Sequence, residues 1–394
     1  MPSSDHPIGL GVAGLGRAFM LTLPSILADR RFRLVAAAAP REESRAAFAA
    51  AFGGSVHADV AELCHDPNVD AVYIATPHQM HRDHVIAAAS AGKHVLVDKP
   101  LAIAMEDGAA MVAAAEAAGI QMIVGPSHSF DGPVAQAHAM IQSGKLGRLR
   151  MIQAFNYTDF LYRPRRSEEL DTAQGGGVIF SQAVHQIDIV RLLAGGLARN
   201  VAAQTGRWDQ SRPTEGAYAA LIAFADGAFA SLLYSGYAHF DSDAWMDWVG
   251  ELGHAKDPSR YGAARQMLTQ APDAQTEAAL KQSRGYGASP VPDPAPHHEH
   301  FGPIILSLDR ADLRLTPGGL WLYGDTEQRF IPAPRILSPR AGALDALHDA
   351  VRLGRRPVQS GAWGLANLEI CHAILHAAAT GQSVGLAHQI APAD

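Results

Sequence analysis

Cysteine is nearly absent, with only Cys64 and Cys371 among 394 residues. Two thiols cannot build a disulfide framework or a four-ligand zinc ribbon. That count fits a reducing compartment, and a cytoplasmic location is expected. Positive charge is not in excess either: Lys and Arg number 32 against 39 Asp and Glu, a formal net charge of -7. Broad binding to nucleic acid is therefore not expected, and an anionic ligand needs a local basic pocket. No uncharged apolar run reaches the roughly 18 residues of a membrane span. Residues 1–7 lack a basic segment, and Gly9, Gly11, Gly14 and Gly16 break the apolar run that follows. That run reads as a strand and turn, not as a signal peptide.

What remains is ordinary for a globular enzyme: 48% hydrophobic and 18% charged residues, in a chain long enough for two domains. Residues 8–125 alternate short apolar runs with alanine-rich amphipathic stretches. Strands are predicted at 8–13, 34–39, 71–75, 94–97 and 121–124. Helices are predicted at 17–29, 42–52, 81–91 and 105–118. Such alternation builds βαβ units and a parallel sheet. After residue 125, strands dominate: 149–157, 201–206, 218–224 and 228–237, preceded by a helix at 133–143. Ala225-Asp226-Gly227 joins the last two runs, and Asp-Gly there signals a hairpin. The prediction is an α/β chain, with a dinucleotide-binding domain at 1–125 and an α+β domain with a mainly antiparallel sheet at 126–394. Helices at 341–353 and 363–379 close it. Residues 284–300, rich in Pro, Gly and His, read as a surface loop, with a substrate lid as the alternative. The spacing within His297-His298-Glu299-His300 is poor for one zinc, and no metal is expected.

The first strand runs into Gly14-Leu15-Gly16. Without side chains, the backbone can turn tightly there and approach a pyrophosphate, and the helix N-terminus faces the anion. A plain turn is the competing reading, which the strand–turn–helix context disfavours. Arg17 and Ala18 open the helix. Phe19 takes the third glycine position, so helix and strand must pack differently there. The second strand ends in Ala38-Ala39-Pro40-Arg41, without the acid that binds an adenosine ribose. Arg41 either pairs with a 2′-phosphate, favouring NADP over NAD, or is a solvated residue opening a helix. Thr76-Pro77, His78 and His81 follow the strand at 71–75, where the nicotinamide half is expected. Asp98-Lys99-Pro100 ends the strand at 94–97, and Pro100 fixes the backbone that aims Lys99. Alone, Lys99 reads as a surface lysine.

The run Thr76-Pro77, His81, Ala91-Gly92-Lys93-His94 and Asp98-Lys99-Pro100 resembles the glucose–fructose oxidoreductase/inositol dehydrogenase/MocA family, with Asp98 for its usual Glu. Gly175-Gly176-Gly177-Val178-Ile179-Phe180-Ser181-Gln182-Ala183-Val184-His185-Gln186-Ile187-Asp188 resembles that family's second block. The resemblance spans nearly the whole chain. It implies a Rossmann domain, a second domain with a large open antiparallel sheet, and a homodimer or homotetramer. It also implies that Lys99 and His185 flank a carbon exchanging hydride with NAD or NADP. His185 would take the hydroxyl proton, since its unperturbed pKa lies near neutrality. Lys99 would orient the hydroxyl and stabilise developing alkoxide charge. Ser181 stands where many members have aspartate, which moves the burden to His185 and Lys99, with Asp188 as a candidate helper. A spacing of four puts Ser181 and His185 on one helix face, and Gln182 falls in the same block. Without the resemblance, His185 reads as a core histidine.

The stretch from Asn156 to Arg166 carries Arg163, Arg165 and Arg166 within four positions. They suit carboxylates, and Tyr157, Phe160 and Tyr162 suit a planar ring. A solvated basic loop or a subunit contact is the bland alternative. The stretch resembles the phthalate 4,5-cis-dihydrodiol dehydrogenases of the same family, which implies oxidation of a carboxylated cis-dihydrodiol to a catechol. Three alternatives remain open: a sugar or inositol dehydrogenase, an NAD-dependent glycoside hydrolase, and a non-catalytic dinucleotide sensor.

Overall fold

The computed structural model describes residues 6–334 and 340–393. Five short, mainly apolar runs and one unpredicted edge strand of Ser-Val-His form the first sheet: β1 (Ile8–Ala13), β2 (Phe32–Ala38), β3 (Ser55–His57), β4 (Ala71–Ile74), β5 (His94–Val97) and β6 (Met122–Val124). All pair in parallel, in the order β3-β2-β1-β4-β5-β6. Every residue of β1 and β4 is buried, as a sheet covered on both faces requires. The cover is α1 (Arg17–Ala28), α2 (Glu42–Phe52), α3 (Val60–Cys64), α4 (His81–Ser90) and α5 (Met105–Ala118). The order reverses between β1 and β4, so a crevice opens at their carboxyl ends.

The second sheet has nine strands: β7 (Leu149–Tyr157), β8 (Ala198–Gly206), β9 (Ala217–Phe224), β10 (Phe229–Ser235), β11 (Ile304–Leu308), β12 (Ala311–Thr316), β13 (Gly319–Gly324), β14 (Gln328–Pro332) and β15 (Val384–Gly385). Their order is β14-β13-β12-β11-β7-β10-β9-β8-β15, antiparallel except for β7 beside β10. The predicted Asp-Gly hairpin joins β9 to β10, with Gly227 at φ +91°. One face carries α6 (Gly132–Gln142), α7 (Val184–Leu193) and α11 (Gly361–Thr380). Leu221, Phe229 and Ile305 are exposed along the strands, as on an antiparallel sheet with one solvated face. Two short helices, α8 (Ala263–Leu268) and α9 (Ala274–Gln282), follow β10. The penultimate helix, α10 (Ala341–Leu353), returns to the first domain, where Leu344 and Leu347 join the core of Leu10, Tyr73 and Leu96.

The structure departs from expectation after residue 237. The meander β11–β14 and the helices α8 and α9 were not predicted. The strands of the meander are only five or six residues long, and in β12 Asp312 and Arg314 alternate with buried apolar residues as a sheet with one solvated face requires. The end of the expected loop is also buried. His298, Glu299 and His300 are each 7% exposed, and His300 Nε2 sits 2.8 Å from the Val249 carbonyl. This tetrad end is a packed wall, not a surface lid. No helix among the described residues is long and apolar enough to cross a membrane.

Candidate active site

The chain turns sharply between β1 and α1. Gly14 has φ +95°, and a Cβ on it would meet the Ala75 carbonyl oxygen at 2.8 Å. A Cβ on Gly16 would meet nothing within 4 Å. Gly16 caps α1 without a side-chain hydrogen bond, so the first N–H groups of the helix face open space. These are the features a pyrophosphate needs. The cleft above them holds about 660 Å³. Gly14, Gly16, Arg17, Ala18 and Arg41 line one side, and Thr76, Pro77, His78 and Asp98 the other. The residues fit a dinucleotide.

Two expected cofactor contacts lie elsewhere. Phe19 is fully buried beneath α1, edge-on to Tyr286 at 5.4 Å and 6.4 Å from Phe48. Its ring fills the space that a third glycine would leave for a close helix–strand approach. His81 is also fully buried. Nε2 lies 3.0 Å from the Thr76 carbonyl and Nδ1 3.1 Å from that of Pro100. His81 braces the two strand ends and does not line the cleft.

Lys99 follows β5. Its Nζ donates to the Ser181 carbonyl at 2.9 Å. Burial lowers its pKa and the neighbouring Asp98 opposes that shift, while the Arg340 and Arg165 charges lower it further. Residues 179–183 form one π-helical turn before α7, where a regular helix was expected. The wider turn changes how the four-residue spacing works out. Ser181 lines the cofactor cleft, its hydroxyl bonded to the Gly177 carbonyl. His185 turns inward, 7% exposed, with Nδ1 3.4 Å from Ser127 Oγ. Its ring lies 4.7 Å from that of His128 and 4.9 Å from that of Phe301. Burial holds His185 well below its usual pKa, and the Lys99, His128 and Arg340 charges act in the same direction.

Asp188 is not at the site. It accepts from Trp363 Nε1 at 2.5 Å, from Asn367 Nδ2 at 3.0 Å and from the Ser129 hydroxyl. It ties α7 to α11. Gln182 is also structural: Nε2 donates to the Ser181 carbonyl at 3.0 Å, and the Tyr234 hydroxyl donates to its Oε1. Tyr157 and Tyr162 line a separate hollow with Trp208 and Phe240. Alternation along β7 and the turn after it point these rings away from the cleft.

The three arginines part company. Arg163 donates to Thr158 Oγ1 at 2.7 Å and Asp159 Oδ1 at 3.2 Å, and faces Glu251 at 3.8 Å. Arg166 pairs with Glu168 at 3.0 Å. Arg165 lines the cleft with a tenth of its side chain exposed, its guanidinium 3.6 Å from the centre of the Phe160 ring. Nη2 donates to the Phe160 carbonyl at 2.7 Å, and Nη1 is 3.9 Å from Glu169. Its Nε is buried with no hydrogen-bond partner. Burial lowers its pKa to about 10, against the pull of Glu169.

Sequence reasoning missed several neighbours. Arg340 pairs with Glu299 at 3.3 Å. His128 Nδ1 is 2.8 Å from Asp131, and Nε2 is 3.8 Å from Glu251. Ligand atoms of His128, Asp131 and Glu299 lie within 4.8 Å of one another, a spacing a cation could also use. Arg284 comes close enough to Arg17 and Arg163 for their charges to interact. Lys281, Gln282 and Gly285 line the cofactor cleft from α9 and the turn after it. Next to them Tyr286 N donates to the Leu15 carbonyl at 3.1 Å, and Ser44 Oγ donates to the Tyr286 carbonyl at 3.0 Å. These groups stand far apart in sequence, so no local motif marks them.

Residues 8–126 match the family model described as "Oxidoreductase family, NAD-binding Rossmann fold", and residues 134–256 match "GFO/IDH/MocA C-terminal domain". The chain belongs to the GFO/IDH/MocA oxidoreductase family. It is similar to the 1-carboxy-3-chloro-3,4-dihydroxycyclohexa-1,5-diene dehydrogenase of Comamonas testosteroni, at 46% identity over 93% of this chain and 94% of that protein. It is also similar to an inositol 2-dehydrogenase of Saccharopolyspora erythraea, at 32% identity over 51% of this chain and 58% of that one. Among solved structures, an inferred dehydrogenase of Bordetella bronchiseptica RB50 superimposes with a TM-score of 0.92 at 41% identity, covering 96% of this chain and 100% of that one. The expected family, fold and NAD-type cofactor are thus met, and the chain is a dehydrogenase-type oxidoreductase.

Proposed function

We propose that this member of the family oxidises a carboxylated cis-dihydroxycyclohexadiene to the corresponding catechol, with Lys99 and His185 at the reacting hydroxyl. The observation that carries the reading is Arg165. It is buried in the wall of the cofactor cleft with an unpartnered Nε, and its charge acts on Lys99. A buried N–H without a partner is costly, and a substrate carboxylate would complete the hydrogen bonding of this guanidinium. Arg163 lines a different hollow beside Asp159 and Glu251, and Arg166, which also lines the cleft, is held by Glu168 at 3.0 Å, whereas the carboxylate facing Arg165 stands back at 3.9 Å, so one substrate carboxylate is assigned to Arg165. The Comamonas relative's name, which includes a 1-carboxy group on a dihydroxycyclohexadiene, supports the same class.

When bound, the nicotinamide accepts the hydride. Lys99, fixed by the Ser181 carbonyl, orients the hydroxyl and stabilises charge on its oxygen. His185, kept neutral by its surroundings, takes the proton. Ser181 contributes a carbonyl anchor where many relatives have a carboxylate. Cofactor reduction should be screened with cis-3,4-dihydroxycyclohexa-1,5-diene-1-carboxylate, the same diol without the carboxylate, inositols and sugars. The carboxylated diol should be fastest, and Lys99→Met and His185→Asn should each remove most of that rate while still binding NAD. Faster turnover of an inositol or a sugar would overturn the assignment.

A further inference from the structure

Oxidising a hydroxyl releases a proton as well as a hydride, and His185 is too deeply buried to hand a proton straight to bulk water. Behind it lies a cavity of about 10 Å³, lined by Ser127, His128, Asp131, His185, Glu299 and Arg340. That volume matches about one water, and the walls offer more than the two to four polar partners a buried water needs. Ser127 Oγ stands 3.4 Å from His185 Nδ1 on this side. The far wall continues outward: Asp131 bonds His128, and His128 faces Glu251, whose side chain is 26% exposed.

We propose that this cavity is a proton relay for His185, running through the Ser127 hydroxyl and one water to the Asp131 carboxylate, which holds the proton until product leaves, with His128 as a positioning residue. The proposal rests on the reading of His185 as the base. In the step, the substrate O–H bond breaks and its proton goes to His185 Nε2. The C–H bond breaks with its electron pair going to the nicotinamide. A proton then leaves Nδ1 for the relay, so one enters the ring and one departs. The ring is left as the Nε2–H tautomer; after product leaves, Nε2 gives its proton to water in the emptied cleft and Nδ1 regains one from Asp131 along the same path, which resets both groups.

The charged groups around the path favour this use. His185 faces Lys99, His128 and Arg340, all of which resist a lasting positive charge on it. Asp131 lines the same cavity and faces His128, Glu299 and Arg340, and burial raises its pKa while the His128 and Arg340 charges oppose that. His128 is opposed by burial, yet Asp131, Glu251 and Glu299 hold its pKa up at about 10, which keeps it a fixed donor between its two main carboxylates. His300 also acts on Glu251 from the neighbouring wall. Arg340 already neutralises Glu299 at 3.3 Å, and this favours a proton path over a cation site.

The test compares Ser127→Ala, Asp131→Asn and His185→Asn with the parent protein in single turnovers of cis-3,4-dihydroxycyclohexa-1,5-diene-1-carboxylate with NAD. Ser127→Ala and Asp131→Asn should each slow cofactor reduction about ten-fold or more, a share of the usual acid–base contribution. The solvent deuterium isotope effect should rise, the KM values should hold, and added imidazole should restore part of the rate. Parent-like rates, pH profiles and isotope effects in Ser127→Ala and Asp131→Asn, beside a dead His185→Asn, would overturn the relay alone. Full activity in His185→Asn would overturn the base itself. One equivalent of tightly bound metal in the purified protein, lost in Asp131→Asn, would replace the relay with a cation site. Ser127→Ala removes only a hydroxyl, so the relay stays testable if Asp131→Asn does not fold.

Discussion

Replacing Arg165 by Met separates recognition of the carboxylate from everything else the residue does. Met keeps an apolar stem against the Phe160 ring and removes only the guanidinium. Glu169, which faces that guanidinium at 3.9 Å, keeps its contact with Lys281. On the proposed reading, the substrate carboxylate loses a buried, charge-assisted partner. Truncating one side of such a pair costs about 2–4 kcal/mol. At about 1.4 kcal/mol per factor of ten, kcat/KM should fall roughly 30- to 1000-fold on the carboxylated diol. The diol without a carboxylate never makes the contact, so its kcat/KM should change less than about three-fold. The assay is NADH formation with both diols, parent and variant side by side. An equal loss on both would make Arg165 a structural residue. No loss on the carboxylated diol would remove it from the site.

Three other outcomes follow from the packing and the charges. Asp188→Ala leaves Trp363, Asn367 and Ser129 without their shared acceptor, and should lower stability by about 3–5 kcal/mol in urea unfolding. Cofactor affinity should be little changed, because Asp188 lies away from the cleft. Gly16→Val puts a side chain into open cleft space and should raise KM for NAD at least about ten-fold, with no fall in melting temperature. Burial works against the Glu169 carboxylate, but Lys281 and Arg165 bring its pKa down to about 2. Its folded pKa is below the unfolded value of about 4.3, so its stabilisation is full above that pH and fades as pH falls toward about 2. Glu169→Gln should therefore be less stable than the parent near neutral pH and equal to it in strong acid, as measured by denaturant unfolding at each pH.

The first domain was legible because its signals are local. A buried strand, a glycine turn and a helix follow one another directly between Ile8 and Ala28, and Asp98-Lys99-Pro100 ends a strand of four. The charged stretch was harder to read. Its arginines announce positive charge, but Glu251 and Glu277, two of the carboxylates that engage it, stand about 90 and 110 residues away. At His297–His300 proline and glycine rightly imply irregular chain, but composition gives no sign that tertiary packing buries the last three side chains. The π-helical turn left no sequence signal at all. His185 follows it, with its ring against His128, a residue that no motif marks.

The return of α10 has a consequence for the chain as a set of modules. The first sheet is finished by residues that arrive more than 200 positions after β6, when Leu344 and Leu347 settle onto the layer that holds Leu10, Tyr73 and Leu96. A fragment ending at residue 125 would hold all six strands and yet leave that layer facing water. The dinucleotide fold here is discontinuous: it closes only after eight of the nine strands of the second sheet have been laid down. The polypeptide passes between the two bodies three times, out after β6, back for α10 and out again for α11, which ties them at more points than a single linker would. Cofactor and substrate walls are therefore held in register by the path of the chain itself.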